Sequence, residues 1–251
     1  MIEFAKQRDV DGIIDVWSEA FGDKKEDILD FLKYYLDCML VFKKDREIAG
    51  ITAMIPVWYD GEKGRYIYAV ATKSIYRGQG IAGKLVEFVK DYVNQNNEAF
   101  SILVPQNSGL FEYYKRFGYE TISCLKTVKK TEFSDYNEKI SEISENEYKE
   151  FRKKFKNDII EWAEKDLFNI KILSNGRFLK IGDDAVAFVV KADDELIIKE
   201  LLGNCDEIAV IDALANYEKV KKVNAKISGN EPFAMVYPKE YKDVYFNIAI
   251  D

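Results

Sequence analysis

The chain has 251 residues, 47% of them hydrophobic and 32% charged, enough apolar content for one large core or two modest ones. A net charge of −7 argues against a nucleic-acid surface, which needs a basic excess, and no apolar run approaches the roughly 20 residues that span a bilayer. Histidine is absent and the three cysteines, Cys38, Cys124 and Cys205, lie far apart, which excludes His-dependent triads and imidazole-ligated zinc and indicates neither a metal site nor a disulfide framework.

Met1 to Asp9 carries no apolar stretch of signal-peptide type, so a cytoplasmic protein is expected. Ile2 to Gln7 reads as a strand. Asp9 to Phe21 places Val10, Ile13, Ile14, Trp17 and Phe21 at helical spacing, with Asp9 as the expected N-cap and Gly22 as the stop. Asp27 to Cys38 repeats that pattern. Met39 to Lys43 and Ile48 to Tyr59 read as a hairpin about Lys44-Asp45-Arg46, and Asp60-Gly61 turns the chain into a strand over Arg65 to Thr72. In that strand Ile67, Ala69 and Ala71 alternate with Tyr66, Tyr68 and Val70. A glycine-rich loop, Arg77 to Gly83, leads into a helix through Leu85, Val86, Val89 and Val93. A strand over Ala99 to Val104, a short helix over Gly109 to Arg116 and a strand over Tyr119 to Lys126 complete the first half.

Lys126 to Glu150 is polar and reads as a connection into a second unit. That unit is expected to hold helices near Glu145 to Phe155 and Asp158 to Lys165, and strands at Phe178 to Ile181, Ala185 to Val190 and Glu195 to Leu202. A helix over Glu207 to Tyr217 and strands at Val223 to Ile227 and Phe233 to Tyr237 follow. The halves share a rough order of elements, which reads either as a duplicated unit or as a coincidence of common α/β elements. Where the first half has its glycine loop the second has only Gly203-Asn204-Cys205-Asp206.

The loop is the most informative segment. Gly78, Gly80 and Gly83, with Ala82, fall between a strand and an amphipathic helix. Glycines let backbone N–H groups approach a ligand, and the helix start aims unpaired N–H groups and its positive dipole end at the same point. Such a cradle suits a diphosphate, with Arg77 and Lys84 adding positive charge. The match to G-x-G-x-x-G does not make this a dinucleotide fold. There the first glycine directly follows the strand, whereas here Lys73 to Arg77 intervene, and the next strand ends at Val104-Pro105 with no acid to hold a ribose.

The same residues resemble the Gcn5-related N-acetyltransferase (GNAT) family. Arg77, Gly80 and Ala82 meet its Gln/Arg-x-x-Gly-x-Gly/Ala signature, and Tyr114 to Tyr119 looks like its second motif, Tyr-x-x-x-Gly-Phe/Tyr. The resemblance covers Met1 to Lys126. The words Phe21-Gly22-Asp23 and Tyr68-Ala69-Val70-Ala71-Thr72, with the tandem layout, resemble the Eis-like branch, whose sterol-carrier-like tail this chain is too short to hold. What the resemblance implies is an α+β fold of α/β/α layers on a mixed, mainly antiparallel sheet. A GNAT domain over residues 1–128 would be followed by a degenerate GNAT-like domain over residues 129–251. The co-substrate would be acetyl-CoA and the acceptor a primary amine of a small molecule or peptide. The backbone of Val70, Ala71 and Thr72 would pair with the pantetheine arm. Arg77, Gly78, Gln79, Gly80, Ile81, Ala82 and Gly83 would hold the diphosphate, and Tyr114 would protonate the departing thiolate. The competing reading is a non-catalytic acyl-CoA-binding module.

Several points stay open in the sequence. Without histidine the general base must be a carboxylate, a water chain or the C-terminal carboxylate of Asp251, while Glu26 and Asp27 read as a solvated helix face. Tyr34, Tyr35, Trp58 and Tyr59 are candidates to line an acceptor pocket. The second unit is expected to close that pocket, make a homo-oligomer or cover the first sheet's edge.

Overall fold

The computed structural model describes residues 1–156, 158–241 and 244–250. It divides into two units, Met1–Thr121 with Met235–Lys242, and Ile122–Ala234 with Asp243–Asp251.

In the first unit two tight turns organise the sheet. Strands β1 (Ile2–Phe4), β2 (Met39–Lys44), β3 (Glu47–Tyr59) and β4 (Glu62–Thr72) pair antiparallel in that order. Asp45 and Arg46 between β2 and β3 have φ of 50° and 70°, and Asp60 and Gly61 between β3 and β4 have 48° and 80°. Positive φ at both central residues matches the twist of the flanking strands, so each hairpin closes in two residues. β5 (Phe100–Leu103) then pairs parallel to the first part of β4, which requires a crossover. Helix α3 (Ile81–Gln95) supplies it, burying Ile81, Leu85, Val86, Val89 and Val93 against Leu40, Met54, Ile67 and Leu103. Each such side chain contributes about 1.5–3 kcal/mol of burial. The helices α1 (Val10–Phe21) and α2 (Lys25–Tyr35) precede β2, and α4 (Ser108–Lys115) follows β5.

The second unit repeats this order. Strand β6 (Glu120–Lys130) is followed by β7 (Ile140–Glu142), α5 (Glu145–Phe155), α6 (Glu164–Leu173), β8 (Gly176–Ile181), β9 (Ala185–Ala192), β10 (Glu195–Gly203), α7 (Glu207–Glu218), β11 (Lys222–Ser228) and β12 (Glu231–Tyr237). Strands β7, β8, β9 and β10 pair antiparallel, and β10 pairs parallel to β11, as β4 does to β5. Each sheet takes its sixth strand from the other half of the sequence. β6 pairs with β11 in the second unit, and Met235–Tyr237, the end of β12, pairs with β5 in the first.

Four local expectations change. Asp9 does not cap α1 with its side chain; its carboxylate accepts the Lys6 N–H at 2.9 Å and pairs with Lys43 at 2.7 Å. Ile2 to Gln7 is strand only to Phe4, and Gln7–Asp9 forms a 3-10 turn. The stretch read as a connection contains the end of β6 and all of β7, and Ser134 is tied to α7 through the Asp212 carboxylate at 2.8 Å. The helix expected near Asp158 to Lys165 begins instead at Glu164. Before it, Ile159 bridges to Tyr245 and Trp162 is buried, donating its indole N–H to the Ile248 carbonyl at 3.1 Å.

Candidate functional site

The site begins where β4 and β5 part. Their parallel pairing runs from Gly64–Phe100 to Ile67–Leu103 and stops, while β4 continues to Thr72 along β3. Just past that point β4 carries a bulge. Ala53 faces Tyr68 and Ile51 faces Ala71, so β4 holds one residue more than its partner, and Ala69 takes a φ of 53°. An alanine in the left-handed region costs about 1–2 kcal/mol. Thr52 is fully buried beside it and donates its hydroxyl to the Tyr68 carbonyl at 3.0 Å. Ala69→Val, which forces a β-branched side chain into that conformation, is expected to lower stability by roughly 1–2 kcal/mol more, read as a shift in the urea midpoint.

The bulge decides which backbone groups face the gap. Lys73 donates its N–H to the Ala49 carbonyl at 3.0 Å, which makes that pair, and the next at Ala71–Ile51, the hydrogen-bonded pairs of the ladder. By alternation Val70 and Thr72 turn their backbone groups away from β3, toward the side that β5 has vacated. Ala71 faces the other way and is spent on β3. The Thr72 hydroxyl is buried and has no hydrogen-bond partner among the described residues.

From Thr72 the chain crosses to α3. Ser74 donates its N–H to Glu19 of α1 at 2.5 Å, and this contact with Ser74 holds the exposed Glu19 carboxyl below its ordinary pKa. Arg77 is exposed, and its Nε donates to the Thr72 carbonyl at 3.2 Å. Gly78 and Gly80 have φ of 77° and 74°, and a Cβ on either would meet nothing within 4 Å, so the space above both is open. The Gln79 side chain is drawn aside, accepting from Lys44 at 2.6 Å. Gly80 is the N-cap of α3 and no side chain caps the helix. The first intrahelical bond is Lys84 N–H to the Gly80 carbonyl at 3.0 Å. The N–H groups of Gly80, Ile81, Ala82 and Gly83 are therefore bonded to no described residue, and they converge on the open space. Gly50 lets the helix start come down onto the sheet, since a Cβ there would lie 2.5 Å from Ile81.

The corresponding turn of the second unit is closed. Asp206 accepts from the N–H groups of Ile208 and Ala209 at 3.0 and 3.3 Å, which spends the start of α7 on its own carboxylate. Glu200, just past a bulge in β10, is fully buried and held by Arg152 at 2.8 and 3.1 Å and by the Tyr148 hydroxyl at 2.6 Å.

Helix α4 starts at Asn107, whose side chain accepts the Leu110 N–H at 3.1 Å. It brings Tyr113, Tyr114 and Phe117 against α3. A Cβ on Gly83 would lie 3.0 Å from Phe117 and 3.4 Å from the Tyr113 hydroxyl. Tyr114 is 6% exposed and belongs to the core cluster that holds Ile67 and Leu103, where the two strands separate. Burial pushes its phenol well above the ordinary range, so it stays protonated at neutral pH. Its ring meets Tyr119, whose hydroxyl hydrogen-bonds Ser101 of β5 at 2.7 Å.

Residues 1–122 match the model of the acetyltransferase (GNAT) domain. This chain carries a GNAT acetyltransferase domain. Solved structures extend the likeness over both units. A GCN5-related N-acetyltransferase from Anabaena variabilis superposes with a TM-score of 0.72 at 16% identity, covering 94% of this chain and 72% of that one. One from Sphaerobacter thermophilus gives 0.58 at 11%, covering 94% and 93%. Eis1 from Mycobacterium abscessus gives 0.62 at 11%, covering 98% and 69%. At these identities the likeness is one of fold. No curated protein sequence matches the chain.

The GNAT domain brings Val70, Thr72, Gly78, Gly80, Ile81, Ala82 and Gly83 to one gap and one helix start. Tyr35 packs on Phe31 at 5.0 Å, Tyr59 meets Tyr241 at 6.0 Å, and Trp58 is half-buried near the far end of the β3–β4 hairpin. Glu26 and Asp27 are exposed in the first turn of α2, and Asp251 lies outside the described residues. Sequence reasoning missed Ala69, Glu19 and Gly50, each of which acts through a partner distant in the chain.

Proposed function

We propose that this chain transfers an acetyl group from acetyl-CoA to a primary amine of a small molecule or peptide in the cytoplasm. The observation that carries the reading is the set of four unspent amides, Gly80 to Gly83, placed beside a strand whose Val70 and Thr72 backbone faces a gap. The diphosphate of CoA suits the amides, and the pantetheine arm suits the gap as a replacement partner for β4. The acceptor nitrogen, arriving neutral, attacks the thioester carbon. A backbone N–H near Val70 donates a hydrogen bond to the developing oxyanion. The C–S bond breaks, and a proton lost by the acylated nitrogen ends on sulfur.

Tyr114 is the group we assign to the sulfur. Its raised pKa keeps the hydroxyl as a donor throughout the neutral range. The phenol donates a hydrogen bond to the departing thiolate; as its proton passes to sulfur it takes up the one released by the acylated nitrogen, so Tyr114 ends neutral. Tyr114→Phe is expected to lower kcat by about ten- to a hundredfold, within the usual range for loss of a general acid, with acetyl-CoA affinity changed by less than about twofold. A wild-type rate in that variant removes Tyr114 from the chemistry. We read the second unit as a degenerate GNAT-like domain without a cofactor, because Asp206 occupies the helix start that a diphosphate would need.

Incubation with acetyl-CoA, a panel of amines and a thiol reagent tests the whole reading. CoA release that depends on an amine supports it. Tight acetyl-CoA binding without release on any amine points instead to an acyl-CoA-binding module.

A further inference from the structure

We propose that Glu19 is a positioning residue for the cofactor loop: from the end of α1 it fixes the link that carries Gly78 and Gly80, and so sets the affinity for CoA without touching it. The inference rests on the cofactor reading above and adds to it a residue outside the cradle. Glu19 is exposed, yet its carboxylate accepts the Ser74 N–H at 2.5 Å, from 55 positions away in the chain. Its place on α1 is locally unfavourable, because a carboxylate in the last turn faces the negative end of the helix dipole. The contact with Ser74 offsets that cost. The Ser74 hydroxyl and N–H together hold the Glu19 carboxyl below its ordinary pKa, so it stays charged at neutral pH. Helix α1 gives this side chain a firm base. Ile13, Val16 and Trp17 are buried, and the Trp17 ring meets Tyr68 of β4 at 5.7 Å.

The link needs an anchor from outside itself. Ser74–Tyr76 forms a single 3-10 turn whose N-cap, Lys73, contributes no side-chain hydrogen bond. Tyr76 donates its N–H to the Lys73 carbonyl at 2.9 Å and Arg77 to the Ser74 carbonyl at 3.1 Å, while the Ser74 N–H goes to Glu19. Ile75 is 65% exposed, and Ser74, Arg77, Gly78, Gln79 and Gly80 are exposed as well, so the core does not hold this stretch down. Glycines at 78 and 80 give the backbone many alternatives to the φ of 77° and 74° seen at the open cradle. Lys44 and Glu47 reach the link from the β2–β3 hairpin, through the Gln79 amide at 2.6 Å and the Lys73 ammonium at 3.3 Å, and Arg77 folds back on the Thr72 carbonyl. Those contacts hold side chains of the link, whereas Glu19 holds the backbone of the turn. Because so little of the link is packed, freeing it costs little global stability. The loss shows instead as a smaller fraction of molecules with the amides in place, which raises the apparent Kd in proportion.

Calorimetric titration of the full chain with CoA, and amide hydrogen exchange read by mass spectrometry, test this. In Glu19→Ala the Kd for CoA is expected to rise about fivefold, within reach of one charge-assisted hydrogen bond at an exposed site. Exchange should quicken over residues 73–80 and stay as in the wild type in α1 and β4. With acetyl-CoA saturating, kcat should stay within about twofold of wild type, so that the loss falls on KM. Glu19→Gln, which keeps an acceptor oxygen, should lie between. Ser74→Ala should lose about twofold, and adding it to Glu19→Ala should cost nothing further, because the two residues act as one contact. Unchanged CoA affinity in Glu19→Ala, exchange that quickens throughout α1 and the sheet, or losses that multiply in the double variant overturn the role of Glu19 and leave the cofactor reading standing. Failure of the wild type to bind CoA overturns the cofactor reading and this inference together.

Discussion

Gly80→Glu abolishes CoA binding, a loss of roughly a hundredfold or more, while the protein remains folded. The position has a φ of 74° and open space where a side chain would project. A glutamate there sets a carboxylate beside the N–H groups of Ile81, Ala82 and Gly83. It can take those donors itself, as Asp206 does at the start of α7, and it repels the diphosphate. The left-handed backbone costs the variant about 1–2 kcal/mol of stability. That is a minor fraction of the usual 5–15 kcal/mol for a domain, so the fold survives the change that destroys the site. Titration with CoA measures the effect, and circular dichroism checks that the helix and sheet signals persist. Undiminished affinity in Gly80→Glu would mean that the amides hold no ligand, and the proposed chemistry would lose its anchor.

A fragment ending at residue 128 fails to melt cooperatively. It contains every residue of the candidate site, yet it lacks Met235–Tyr237, the strand that pairs with β5. Met235 is fully buried in the cluster that also holds Leu103, Tyr114 and Tyr119. Tyr237 lies 5.8 Å from the Tyr119 ring and carries the Lys90 ammonium 4.4 Å over its face. Removing a buried methionine side chain costs about 2–5 kcal/mol, and the same truncation strips the ladder partners from Ser101, Ile102 and Leu103. Together these losses approach the whole stability of a domain. Met235→Ala in the full chain should therefore lose about 2–5 kcal/mol in a urea titration, and a synthetic peptide spanning residues 231–241 should partly restore a cooperative transition to the fragment. A sharp thermal transition and CoA binding by residues 1–128 alone would show that the returning strand is dispensable.

Both results separate what is local in this molecule from what is not. The helix start at Gly80 is a local object. Its glycines, the strand before it and the apolar spacing of Leu85, Val86 and Val89 after it are contiguous, so the strand–loop–helix unit is legible along the chain. The spacing of Tyr114 from Gly118, which carries the family resemblance, is local in the same way. The bulge at Ala69 is not. Tyr66 to Thr72 reads as unbroken alternation, and the extra residue shows only when β4 is laid against β3. Glu19 and Gly50 were hidden for the same reason, since each matters through a partner more than 20 positions away: Ser74 for the first, Ile81 for the second. The helix expected at Asp158 began late because Ile159 and Trp162 are recruited by Tyr245 and Ile248, contacts that outweigh local propensity.

The sequence by itself determined the two hairpins of the first half, the glycine-rich link between a strand and an amphipathic helix, and most of the order of elements, because periodicity, turn residues and helix starts are properties of neighbours along the chain; the α+β class followed from the family resemblance. Only the tertiary structure decided that the amides of Gly80 to Gly83 stay unspent while those after Asp206 are taken. It also decided that Val70 and Thr72 face a gap, and that each sheet borrows its last strand from the other half. Those outcomes turn on which backbone groups find partners across the fold, and a donor's partner is set by register and packing rather than by the residues beside it.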